Sequence, residues 1–190
     1  MLLHRTKTRL KAFLRGDFVR NEDGTIAIEA MIILPVMFWT FLSLFSIFET
    51  FRTYSMNQKA AFTIGDAISR ETQPIDDQYL TGVWQLYDYL ANTRGESSIR
   101  VTQLRYRAHD NRFFRDWSQS RGWAYPLSSS DVQNWTDRLP SIPDGERVVL
   151  VETWDRYDAP FETGLERQII HNFVFTRPRY APRVCWETCD

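Results

Sequence analysis

Hydrophobic and polar positions alternate along this chain in three distinct regimes. From Ala30 to Phe48 there is no formal charge, and the only helix breaker is Pro35. At 1.5 Å per residue, a helix over residues 25–48 reaches roughly 36 Å, against a bilayer hydrocarbon core of about 30 Å. Beyond it, Phe51, Tyr54, Gln58, Ala61, Ile64 or Gly65, and Ile68 recur every three or four residues, with Arg52, Lys59, Asp66 and Arg70 between them. This predicts an amphipathic continuation of the helix that ends before Pro74. The remainder reads as short elements with a helical or two-residue period.

In that remainder, Asp76 to Leu90 predicts a second helix with a broad apolar face, closed by Gly95. Ile99 to Ala108 predicts a strand, followed by a turn at His109, Asp110 and Asn111. Residues 112–130 read as irregular, rich in aromatic, Arg and Ser residues and broken by Pro126. Ser130 or Asp131 is a candidate cap for a short helix over Val132 to Leu139. Arg147–Tyr157 and Gln168–Thr176 predict two strands pairing antiparallel around a loop at Pro160 to Gly164. With the 99–108 strand they form a small antiparallel sheet under the amphipathic helix. The class is α+β, with segments 1–24, 25–48, 49–73 and 74–190.

Charge adds a direction. The net formal charge is −1, so the chain as a whole is not a nucleic-acid binder. Yet Arg5, Lys7, Arg9, Lys11, Arg15 and Arg20 all precede Gly24. Leu3, Leu10, Phe13, Leu14 and Phe18 share one face of a candidate amphipathic helix that would lie on anionic lipid. The positive-inside rule places this leader in the cytoplasm and everything after Phe48 outside, which in a two-membrane bacterium is the periplasm. A secretory signal peptide fits poorly, because Phe45 to Phe51 offer no small-x-small exit.

Glu29 is out of place in a plain anchor. An ionised side chain at a helix centre costs roughly 2.5–3.5 kcal/mol on insertion scales, and less near an edge. It either snorkels to the interface or meets a cation. Gly24, in the polar collar Asn21 to Gly24, reads on its own as a helix-entry residue. Pro35 removes a backbone donor and predicts a bend.

Together, Gly24, Thr25, Ile26, Ala27, Ile28, Glu29, Ala30 and Pro35 resemble the class III signal of prepilins and pseudopilins from tight-adherence (Tad/Flp) pilus systems. The match looks most like the TadE-like minor pilin family and covers about a quarter of the chain, residues 23–54. Major Flp pilins usually carry Glu followed by Tyr; here Ala30 follows Glu29, and the large C-terminal part is unlike a short Flp pilin. The resemblance implies a type IV pilin-like fold, with one long helix half in lipid and half docked on a soluble domain. It also implies a reaction done to this protein, in which a prepilin peptidase cuts between Gly24 and Thr25. Gly24 lacks a Cβ to obstruct the peptidase. The cut exposes an α-amine of ordinary pKa about 7.7–8 at Thr25, for which Glu29 is the counter-charge in the same chain or a neighbour. The implied partners are the prepilin peptidase, the major Flp-type pilin, other minor pilins, the inner-membrane pilus platform and the lipid bilayer. The competing reading is an uncleaved single-pass anchor carrying a periplasmic protein-binding domain.

No constellation for catalysis, metal or cofactor is visible. His4, His109 and His171 are far apart, there is no Gly-rich phosphate loop, and Ser128 to Ser130 lack the glycine frame of a nucleophile elbow. Glu152, Asp155 and Asp158 are a weak cation candidate beside the plainer reading of a solvated strand edge. His171 reads as structural. Cys185 and Cys189 either form a disulfide, stay free or link to another molecule.

Overall fold

The structure, a computed structural model, describes residues 23–161 and 167–189. The leader helix, and the 160–164 loop beyond Phe161, lie outside the described residues. The chain divides into two compact units, Met1–Ile47 and Phe48–Asp190.

Helix α1 covers Asp23–Ser69, with Pro35 inside it. From Gly24 to Gly65 the sequence holds no other breaker, so nothing local ends the helix earlier. Its last turn closes on Ser69, whose hydroxyl donates to the Asp66 carbonyl at 2.7 Å. Helix α2 covers Asp77–Ala91. Asp76 caps it, accepting from the Tyr79 N–H at 2.8 Å. Asn92 ends it in the left-handed conformation at φ 53°, its N–H bonded to the Asp88 carbonyl. The terminator is therefore Asn92 rather than Gly95, because an Asn side chain also tolerates that conformation.

Four strands follow: β1 Ser97–Arg107, β2 Arg112–Arg121, β3 Arg147–Tyr157 and β4 Gln168–Thr176. They form one antiparallel sheet in the order β2-β1-β3-β4. β1 and β3 are interior strands, each buried over most of its length. The fold class is α+β, a long apolar N-terminal helix followed by a four-stranded antiparallel sheet.

The sheet is covered on both faces. Ile99, Val101, Val149 and Val151 meet Ala60, Ile64 and Ile68 of α1 and Leu80, Val83 and Tyr87 of α2. Each such aliphatic side chain contributes about 1.5–3 kcal/mol by leaving water. Gly65 permits close approach of α1 to the sheet, since a Cβ there would stand 3.3 Å from Val174 Cγ1. Leu104, Phe113 and Val148, in a second cluster, pack under Leu127, Val132, Leu139 and Ile142 from the β2–β3 connection.

Three expectations are corrected. Residues 112–121 are strand β2, not irregular chain. The short helix over 132–139 is instead α3, Ser129–Val132, followed by a 3-10 turn at Trp135–Asp137. Ser128 is the cap and Asp131 the reciprocal partner of its capping box. On α1, Phe51, Tyr54 and Gln58 are exposed, and Asn57 and Ala60 take the inward face instead. The docked stripe begins with the small and polar Asn57, Ala60 and Ala61 and continues through the buried Ile64 and Ile68.

Candidate processing and assembly segment

The N-terminal unit carries the proposed chemistry. Gly24 and Thr25 fall in the first turn of α1, and the side chains of 23–25 lie outside the description. Glu29 is one turn further on, exposed, and makes no ion pair or hydrogen bond among the described residues. Around and beyond it, Ile28, Met31, Ile32, Leu34, Phe38, Trp39 and Phe41 are 61–76% exposed within the isolated chain. In water such a row of side chains forgoes about 1.5–3 kcal/mol each. α1 is long and apolar enough to cross a membrane. At Pro35 the missing N–H leaves the Met31 carbonyl without its usual helical donor. One turn later Thr40 turns its hydroxyl inward to the Val36 carbonyl at 2.8 Å, satisfying that polar group within the helix.

The second unit brings together side chains that the sequence left scattered. Glu152, 2% exposed, accepts from Arg100 Nε at 2.7 Å, and Arg100 Nη2 is 2.6 Å from the same oxygen. His171 Nε2 stands 3.5 Å from the other Glu152 oxygen, while its ring stacks on Trp154 at 4.8 Å. The Arg100 guanidinium lies 4.9 Å from the Trp154 ring centre. Asp155 is 4% exposed and accepts from Asn57 Nδ2 at 3.1 Å; burial pushes its carboxyl above the ordinary carboxylate value. Asp158 pairs separately with Arg167 at 2.6 Å. Glu152 and Asp155 are thus buried on an interior strand with partners of their own, while Asp158 lies exposed just past β3 and pairs with Arg167. Among the described residues, no group of three or more His, Cys, Asp and Glu side chains is arranged to hold a metal ion.

Cys185 and Cys189 form a disulfide with Cα atoms 5.2 Å apart. It closes a loop that is tied to the domain on both sides. The Ile75 N–H donates to the Cys185 carbonyl at 2.9 Å and the Glu187 N–H to the Ile75 carbonyl at 2.8 Å. Val184 offers its N–H to Gln103 Oε1 at 2.7 Å and its carbonyl to Trp117 Nε1 at 2.8 Å.

Beside this loop lies a cleft of about 540 Å³, which sequence reading missed. Its lining draws Arg105 from β1, Asp116 from β2, Arg147 from β3 and Arg183 from the tail. The one available signal was the excess of Arg and aromatic residues over 112–130. Their role depends on β2 pairing, which that composition does not announce. Compared with known proteins, the chain matches no family profile, no curated protein and no solved structure.

Proposed function

We propose that this chain is a TadE-like pseudopilin, a structural subunit of a Tad/Flp pilus held in the bacterial inner membrane. Its N-terminus is cytoplasmic, residues 25–48 span the bilayer once, and the sheet domain is periplasmic. A prepilin peptidase cuts after Gly24, and the chain then works with the major Flp-type pilin, other minor pilins and the inner-membrane platform. The observation that carries this reading is an exposed apolar helix segment in which Glu29, the one carboxylate of residues 25–48, has no partner among the described residues. In a low-dielectric setting such a carboxylate is costly alone. Cleavage creates a cation, the Thr25 α-amine, about one helical turn away. Glu29 of the same or a neighbouring subunit then pairs with it, so incorporation becomes conditional on processing.

The chain's role is to be assembled, and no catalytic step is assigned to it. The experiment compares Glu29→Ala and Gly24→Ala in a host with an active peptidase and a Tad/Flp pilus. Glu29→Ala is expected to insert normally but to be depleted from pili. Gly24→Ala is expected to remain full-length. Unchanged pilus number and subunit incorporation in Glu29→Ala would remove the paired-charge basis of the reading.

A further inference from the structure

The cleft beside the Cys185–Cys189 loop is dominated by guanidinium groups. Among the described residues its lining includes four arginines and a single carboxylate, Asp116. Asp116 is placed by a β-bulge. Gln103 of β1 pairs with Trp117 and Leu104 pairs with Arg115, so Asp116 is the extra residue. The bulge turns its carboxylate toward the same side as Arg105 and Arg147, which face each other across β1 and β3. Arg147 Nε donates to Asp116 Oδ2 at 2.7 Å, and Gln103 Nε2 does so at 3.1 Å. Arg105 makes only a longer ion pair with Asp116, its Nε 3.6 Å from Oδ1, and its side chain is 39% exposed. Arg183 approaches from the tail, anchored to the Cys189 carbonyl at 2.8 Å. Trp117 and Trp186, with ring centres 5.7 Å apart, supply an apolar wall.

This lining is rich in donors and poor in acceptors. A sugar hydroxyl needs both; a carboxylate needs donors only, and the planar guanidinium fork matches its two oxygens. One carboxylate cannot neutralise the surrounding guanidinium groups. The cleft runs across β2, β1 and β3, so an extended segment lying in it meets Arg105, Arg147 and Arg183 together. The geometry points to a docking site for an acidic peptide segment of a partner protein, with Arg105 and Arg183 taking its carboxylates and the tryptophans its aliphatic stems. Asp116 holds Arg147 in place and competes with the ligand. The disulfide loop is one wall of the site, which gives the C-terminal tail a role in recognition.

The test uses the full chain in neutral detergent micelles and a fluorescent peptide of alternating Glu and Gly, read by anisotropy, with a Gln and Gly peptide as control. The Glu peptide is expected to bind, the Gln peptide not, and added salt to weaken binding. The Arg105→Gln, Arg183→Gln double variant is expected to lose about tenfold or more in affinity. Asp116→Asn is expected to tighten binding by about threefold or more, a gain that general loss of structure does not produce. Equal binding of the Gln peptide, no loss in the double variant, weaker binding in Asp116→Asn, or tighter binding of inorganic phosphate or oligogalacturonate than of the Glu peptide would each overturn the proposal.

Discussion

Asn57 on α1 donates through Nδ2 to Asp155 Oδ2 on β3 at 3.1 Å, joining residues 98 positions apart in the sequence. Asn57 also donates to the Thr53 carbonyl at 3.0 Å and accepts from the Tyr87 hydroxyl at 2.5 Å. Asn57 and Tyr87 are 0% exposed and Asp155 is 4% exposed, so a polar network fixes the helix on the sheet where apolar packing alone permits sliding.

That network makes stability depend on pH in a defined direction. Burial raises the Asp155 carboxyl above its ordinary value of 3.8, with the Asn57 hydrogen bond opposing the shift. An acid with a raised folded pKa holds its proton more tightly folded than unfolded. Its burial is least costly below the ordinary value, and stability is lost as pH rises from there through the raised folded value. Relative to Asp155→Asn, the wild-type protein should therefore lose stability between about pH 4 and about pH 8. Urea unfolding of both proteins at the two pH values reads this difference; a constant difference, or one of opposite sign, speaks against it.

Tyr87→Phe removes the hydroxyl that satisfies Asn57 Oδ1 and leaves that oxygen buried. The expected loss is about 1–3 kcal/mol in unfolding free energy. Combined with Asn57→Ala, the two losses should be less than additive, because the second substitution removes the orphaned acceptor.

Arg100→Gln strips the buried Glu152 carboxylate of its short charged contacts. Breaking one side of such a pair costs about 3–5 kcal/mol. Replacing Arg107, whose pair with Asp110 at 3.2 Å is solvent-screened at the surface, should cost far less. Thermal unfolding of the two variants gives the contrast.

Gly122 sits at φ +81°, and a Cβ there would come 2.5 Å from the Ser97 carbonyl oxygen and 3.0 Å from Ser98 Cα. Gly122→Ala should destabilise by at least about 1–3 kcal/mol, since neither backbone atom can move aside without disturbing β1. Gly95→Ala, also at positive φ but in open space, should cost less.

Local pattern made much of this fold legible. Val148, Val149, Leu150 and Val151 mark β3, and Ile169, Ile170, Phe173 and Phe175 mark β4; the expected bounds of both strands match the structure. β2 was illegible because Phe113, Phe114, Arg115, Asp116 and Trp117 carry no β-branched residue, and the bulge at Asp116 breaks the two-residue period. The docked face of α1 was misplaced for a related reason. Phe51 and Tyr54 are more apolar than Asn57, but Asn57 turns inward because Asp155 and Tyr87 await it from distant parts of the chain. The same long-range pairing hid the carboxylates of β3, whose partners Arg100 and Asn57 come from other elements. The Gly24, Glu29 and Pro35 spacing, by contrast, is a property of one short stretch and needs no fold to be seen.

Whether the chain is processed at that stretch is decided most directly by the intact mass of its membrane-bound form from a host with an active prepilin peptidase. A mass matching a chain that begins at Thr25, and its replacement by the full-length mass in Gly24→Ala, is the expected result. A full-length protein in that host, indifferent to Gly24→Ala, would contradict the pseudopilin reading and leave a single-pass anchor.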